Sequence, residues 1–266
     1  MDVLPIEEGG DHHAWWVGAG HVLRMARDQD GSVRQLREIA LRDALRPFLA
    51  VPVPESVATG EWAPGLTYSV DGRLLGVSAE ERAVSPGGEA DLAGLLTGLR
   101  SFPVAKAAAL GVPASPPRDL GVLRVSAAEA AGRLDDGRAP PADPPAATTA
   151  TADVPVSLVH NDLKGEHLLV GGSGRVTGVL DWTDAVLGDP AEDIAGLAIS
   201  IGARAAVRVA ALAGYGPGLC ARALRLCRCD TVILLAARLH GEDDSPLPLL
   251  RAQRDRAWEP TPLDAP

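Results

Sequence analysis

The sequence predicts an α+β fold of two unequal lobes, and three observations lead there. Apolar runs of strand length, with one amphipathic segment between them, crowd into the first 75 residues. From residue 76 onward the periodicity is mostly helical, broken by three short apolar runs around a polar loop near residue 160. A chain of 266 residues is long enough to bury a core in each lobe. The expected division is a small lobe over 1–75, an antiparallel sheet with one helix, and a larger, mostly helical lobe over 76–266.

Composition removes several classes of function. No apolar run approaches the roughly 20 residues that a membrane span needs, and the acidic start does not resemble a signal peptide, so a cytoplasmic protein with no membrane partner is expected. The net charge of −10 argues against a nucleic-acid partner, which calls for a basic face. It suits a cationic small molecule, although acidity also serves solubility. Cys220, Cys227 and Cys229 lie in one segment, with Cys220, Leu224 and Cys227 at helical spacing, which reads as buried thiols rather than a metal site. Oligomeric state is not legible.

Taken in order, Glu7 to Asp11 is a turn containing Gly9 and Gly10. His12 to Val17 and His21 to Met25 follow as a hairpin closed by Gly18-Ala19-Gly20. Ser32 and Gln35 have capping-box spacing, and Val33, Leu36, Ile39, Ala40 and Ala44 line up as one apolar face, so a helix is expected over 33–46, closed by Pro47. Val51-Pro52-Val53-Pro54 is extended by its prolines. Leu66 to Val70 is a strand, followed by Asp71 to Gly76. Ser78 and Glu81 suggest a further cap ahead of a helix striped by Leu92, Leu95, Leu96 and Leu99, which Ser101-Phe102-Pro103 ends. Prolines make 111–121 a loop, and a short helix is expected from Ser126 to Leu134. Residues 137–155, Pro-, Ala- and Thr-rich, bury too little to offset their ordering entropy and read as a mobile surface linker. Asp189-Pro190-Ala191-Glu192 is a well-formed helix start, which accounts for Asp189 and Glu192; helices at about 203–213 and 218–240 and an acidic turn, Gly241 to Asp244, close the pattern.

The chemistry is concentrated between two strands. Leu158-Val159 leads into His160-Asn161-Asp162-Leu163-Lys164-Gly165-Glu166-His167, and Leu168-Leu169-Val170 leads out. About ten residues on, Val176 to Leu180 ends in Asp181-Trp182. Two strand ends that each present an aspartate to one place suit phosphoryl transfer, in which one carboxylate orients a hydroxyl and the other holds the metal on the phosphates.

The kinase catalytic loop reads H-R-D-L-x-x-x-N, and its metal aspartate opens D-F-G. Here the first is His160 to His167, with histidine in the asparagine place, and the second is Asp181-Trp182-Thr183. Together with Leu180 to Ala185 and Gly188-Asp189-Pro190-Ala191-Glu192-Asp193, these segments resemble the aminoglycoside and macrolide phosphotransferase family, small-molecule kinases that share the protein-kinase fold. The resemblance implies a nucleotide-binding first lobe and a catalytic, substrate-binding second lobe. It makes Asp162 the carboxylate that takes or orients the hydroxyl proton and Lys164 a contact of the transferred phosphate; a plain exposed lysine is the alternative. Asp181 and His167 become ligands of Mg²⁺, or of Mn²⁺, since imidazole suits softer metals. His160 braces the loop and Asp193 anchors its backbone. Gly9 and Gly10 lie over the phosphates of ATP or GTP, Arg24 replaces the usual lysine on them, and Glu38 pairs with Arg24. Gly72 and Leu74 fall where the hinge meets adenine.

The implied function is transfer of the γ-phosphate of ATP or GTP to a hydroxyl of a small molecule, such as an aminoglycoside or macrolide. A metabolic kinase acting on a sugar, amino alcohol or vitamin precursor is the alternative within enzymes. A nucleotide-binding pseudokinase is the alternative outside them, suggested by Arg24 and His167. Against the family, the chain starts short by one helix before the glycine pair.

Overall fold

The computed structural model describes residues 2–6, 12–134 and 156–264. Five antiparallel strands form the first layer: β1 (Val3–Ile6), β2 (His12–Val17), β3 (His21–Ala26), β4 (Ser56–Ala63) and β5 (Leu66–Gly72), in the order β1-β2-β3-β5-β4. The β2–β3 hairpin forms as the alternation predicts, with Val17 opposite His21. The sequence reading missed β1 and β4. Both are edge strands with mostly exposed side chains, so neither carries a strong apolar alternation.

Helix α1 (Gln29–Leu45) packs on this sheet, but not through the face that hydrophobic spacing predicts. Val33 and Leu36 are 65% and 50% exposed, and Ala40 faces solvent. The buried face is Ser32, Gln35, Glu38, Leu41, Arg42 and Leu45. The cap is Asp28, whose Oδ1 accepts from Gly31 N at 2.6 Å; Ser32 lies inside the helix and accepts from Thr67 N. A polar face can be buried only if its groups are satisfied. Gln35 donates to Arg24 O and accepts from Thr67 Oγ1 at 2.7 Å, Arg24 donates to Glu38 at 2.9 Å, and Arg42 pairs with Asp71 at 3.2 Å. These bonds fix how α1 is rotated on the sheet.

After β5, residues 73–76 lead to β6 (Val77–Ser78), the edge of a second sheet in which it pairs with β8 (Leu168–Val170), and β8 in turn with β9 (Val176–Val179). We propose the lobe division at 75/76, between these two sheets. A third, small sheet joins β7 (Ser157–Val159) to β10 (Val186–Gly188). Helix α2 (Pro86–Ser101) buries Leu92, Leu95, Leu96 and Leu99 as expected, in one core with Leu158, Leu163, Leu168, Trp182, Ile194 and Leu197. Its cap is Ser85, bonded to Gly88 N; Ser78 is a strand residue that donates to Gly165 O instead. Helices α3 (Val104–Ala109), α4 (Leu120–Ala131), α5 (Ala191–Ile201), α6 (Ala203–Leu212), α7 (Pro217–Leu239) and α8 (Leu247–Ala257) complete the larger lobe. Helix α4 starts six residues before the expected Ser126, because Asp119 caps it. The reading missed α3 and α8, which are short and flanked by proline. Burial on α7 pushes Cys227 up to about 12 and Cys229 to about 11, so these thiols are inert apolar filler. The proposed linker over 137–155 lies outside the described residues.

Glu38 carries a pH signature. Burial alone would raise its carboxyl, but Arg24 and Arg42 hold it down at about 2 from an ordinary 4.5. A depressed carboxylate stabilises the fold fully above its ordinary value, and that contribution is lost as pH falls toward the folded value. In urea denaturation, the stability advantage of wild type over Glu38→Gln should shrink by about 2 kcal/mol between about pH 5 and about pH 3. An advantage that stays constant across this range contradicts the assignment.

Candidate active site

The loop after β7 is suspended from α5 by backbone bonds. Asp193 Oδ2 accepts from His160 N at 2.9 Å and Oδ1 from Asn161 N at 2.8 Å. Burial raises the Asp193 carboxyl to about 7, against the two N–H groups that favour its charge. His160 is fully buried; its Nε2 lies 2.8 Å from Leu180 O, and its Nδ1 accepts from Asp162 N at 3.3 Å. Nε2 therefore carries the proton. Burial lowers the ring to about 4, which keeps it neutral. Gly196 on α5 lets the helix touch the loop: a Cβ there would lie 2.6 Å from Leu163 O. Asn161 and Asp181 are the non-glycine residues with positive φ, 67° and 55°, among those described. Such conformations cost energy and persist where the surroundings enforce them.

This frame gathers several of the expected residues. Asp162 Oδ1 is 2.6 Å from Lys164 Nζ. Burial opposes the lysine's charge, but the bond to Asp162 outweighs it and raises the ammonium's pKa. His167 Nδ1 is 2.8 Å from Asp162 O, and a carbonyl can only accept, so the proton sits on Nδ1 and Nε2 is a free lone pair. That lone pair faces Asp181 Oδ2 at 3.7 Å and Glu166 Oε1 at 4.0 Å. Acceptors aimed at one another at this distance suit a shared cation. Ligand atoms of Asp162, Glu166 and His167 also lie within 4.8 Å of one another. Carboxylate oxygens with one imidazole fit a hard to borderline divalent ion such as Mg²⁺ or Mn²⁺. Glu166 was not singled out from the sequence; its place one residue before His167 is the signal that could have found it.

From the first lobe, Arg24 pairs with Glu38 at 2.9 Å and lies 3.7 Å from Asp71, and the charge of Asp181 also reaches it. Arg42 was overlooked, although it stands four residues after Glu38 and its Nη1 is 3.6 Å from that carboxylate. Gly9 and Gly10 lie outside the described residues. Gly72 N donates to Glu55 O and Arg73 N to Gly20 O, so the N–H of Gly72 is already engaged. Leu74 lies over Gly178 of β9.

Beside Asp162 opens a cavity of about 370 Å³, bounded by Asn161, Lys164, the loop at Ser115 and Pro116, α5 and α7. Its wall carries a clasp that the sequence did not announce. Arg118 donates to both oxygens of Glu192, at 2.9 and 2.6 Å, and to both of Asp230, at 2.8 and 2.9 Å. Arg222 binds Asp189 Oδ2 at 2.6 Å, while Asp189 Oδ1 caps α5 through Ala191 N. Asp189 and Glu192 therefore do more than start a helix. Residues Gly241 to Asp244, the acidic turn, do not line this cavity; Glu242 pairs with Arg133.

A twisted antiparallel sheet with one helix, set over a helical lobe whose loop presents Asp162 toward Asp181, defines a kinase-like fold. The chain belongs to the phosphotransferase enzyme family, whose model matches residues 2–227. Viomycin phosphotransferase of Streptomyces vinaceus is 29% identical over 230 residues, covering 80% of this chain and 78% of its own length. Among solved structures, the GDP complex of aminoglycoside 2'-phosphotransferase-IIIa superposes with a TM-score of 0.71 at 22% identity, over 97% of this chain and 92% of that one. Macrolide 2'-phosphotransferase MphH from Brachybacterium faecium gives 0.62 at 24%, over 97% and 92%. Among the described residues no helix is long and apolar enough to cross a membrane.

The metal assignments are testable. Asp181→Ala should abolish the Mg²⁺ dependence of nucleotide binding in calorimetry, and an unchanged dependence removes Asp181 from the site. His167→Asn exchanges a nitrogen donor for an oxygen, so the ratio of Mn²⁺- to Mg²⁺-supported turnover should fall by about threefold or more. An unchanged ratio, with only stability lost, makes His167 a packing residue.

Proposed function

We propose that this phosphotransferase moves the γ-phosphoryl group of ATP or GTP to a hydroxyl of a small cationic molecule, an antibiotic of the kind for which its relatives are named. The observation that carries this reading is the clustering of Asp162, Lys164, His167 and Asp181, of which Asp162 and Lys164 line one cavity. The Asp162 carboxylate accepts the proton of the incoming hydroxyl, for which it must lie in hydrogen-bond reach of that oxygen. It lies 2.6 Å from the Lys164 ammonium, which stands ready to meet the anionic phosphoryl oxygens. Arg24, whose two Nη groups are held by Glu38, would bring its charge and remaining N–H donors to the phosphates from the other lobe. Asp181 and His167, with Glu166 close by, would hold a divalent ion; when bound, it supplies positive charge that neutralises the phosphate oxygens.

The acceptor's charge is argued from the cavity wall. Lys164 is set against Asp162 and Arg222 against Asp189, while the single charge of Arg118 is shared between Glu192 and Asp230. One negative charge is left in excess beside the reacting hydroxyl. An ammonium or guanidinium group on the acceptor would balance it. A volume of about 370 Å³ suits one or two rings of such a molecule, with the rest in solvent.

The test is phosphorus NMR on reactions of the purified protein with ATP or GTP and a panel of aminoglycosides, macrolides, viomycin, sugars and amino alcohols. A new phosphate monoester on a cationic antibiotic is expected, and monoesters confined to sugars or amino alcohols would favour a metabolic kinase. With the substrate in hand, Asp162→Asn should lower kcat about a hundredfold or more while nucleotide affinity stays within about twofold. Near-normal turnover would exclude Asp162 as the base.

A further inference from the structure

Thr183 follows the aspartate and tryptophan of the second motif, and the structure uses three of its polar atoms. Its N–H donates to Asp181 Oδ1 at 3.4 Å, a long bond that turns Oδ2 toward His167. Its carbonyl accepts from Arg37 Nη2 at 3.0 Å. Its hydroxyl donates to Glu38 Oε2 at 3.2 Å. Arg37 and Glu38 are neighbours on α1, on the far side of the chain from Thr183 by about 145 positions. The side chain is buried, at 6% exposure. Asp181 itself holds the left-handed φ of 55°, a conformation that needs outside support.

From this arrangement we infer that Thr183 is the positioning residue that lets α1 set the Asp181 carboxylate, so that the phosphate cation Arg24 and the metal-binding carboxylate share one anchor, Glu38. Glu38 receives Arg24 on one side and the Thr183 hydroxyl on the other. A displacement of α1 that weakens the Arg24 pair therefore also releases the segment that orients Asp181. Thr183 touches neither phosphate nor metal; it acts through Asp181. The inference rests on the proposed reading of Asp181 as a metal ligand.

A valine is close in shape to threonine and lacks the hydroxyl, whereas serine keeps it. The experiment measures Mn²⁺ affinity by electron paramagnetic resonance, with and without a non-hydrolysable ATP analogue. It also measures affinity for the analogue without metal. Thr183→Val should weaken Mn²⁺ binding in the nucleotide complex about tenfold, the scale for losing a hydrogen bond to a buried charge. Metal-free nucleotide affinity should stay within about twofold, because Arg24 keeps Glu38, and Thr183→Ser should bind Mn²⁺ within about twofold of wild type. Arg37→Gln, at a half-buried position, should weaken Mn²⁺ about threefold and gives the answer if the valine variant does not fold. Wild-type Mn²⁺ affinity in both Thr183→Val and Arg37→Gln, or equal losses with and without metal, overturns the inference. A wild-type protein that binds nucleotide but no Mn²⁺ overturns instead the metal reading beneath it.

Discussion

A single buried carboxylate, Glu38, constrains the active centre more than any other group. It lies on the buried face of α1 with almost no exposure, and its two oxygens are shared among Arg24, Arg42 and Thr183. A buried charge without partners is costly, and removing one partner of such a pair costs about 3–5 kcal/mol. The polar face of α1 is therefore specific: it seats the helix on the sheet only where Gln35 meets Thr67, Glu38 meets Arg24 and Arg42 meets Asp71. An apolar face would tolerate sliding or rotation. This one does not, and the position of Arg24 follows from it.

The larger lobe solves the corresponding problem with backbone bonds. Asp193 collects two consecutive N–H groups, neutral His160 ties the loop to Leu180, and Gly196 removes the side chain that would hold α5 away. The side chains of Asp162 and Lys164, which face the cavity, take no part in this framework. Asp162 and Lys164 hold each other in solvent reach, and His167 turns a lone pair toward Asp181. Among the described residues, the non-glycine left-handed conformations fall at Asn161 and Asp181, both in the site.

Much of this was legible because the chemistry sits on two contiguous stretches, His160–His167 and Asp181–Thr183, where order and spacing carry the signal. The Arg24–Glu38 pair was legible through the same resemblance. The rotation of α1 was not: Val33, Leu36 and Ala40 form the stronger apolar stripe, and the helix buries Ser32, Gln35, Glu38 and Arg42 instead. Hydrophobic periodicity fails where a helix docks through ion pairs, since the partners Asp71 and Thr67 lie about thirty residues away. The Arg118 clasp was invisible for the same reason. Its partners are 74 and 112 residues distant, and the surrounding prolines marked only a loop.

The central claim is that Glu38 joins Arg24, the proposed phosphate cation of one lobe, to the proposed metal-binding segment of the other. A double-mutant cycle between Arg24→Lys and Thr183→Val tests it most directly, read as the affinity for the Mn²⁺ complex of a non-hydrolysable nucleotide. Arg24 and Thr183 share Glu38 as a partner, so the account predicts non-additive losses with a coupling of about 1 kcal/mol. Losses that add to within about 0.3 kcal/mol would show two independent sites and contradict it.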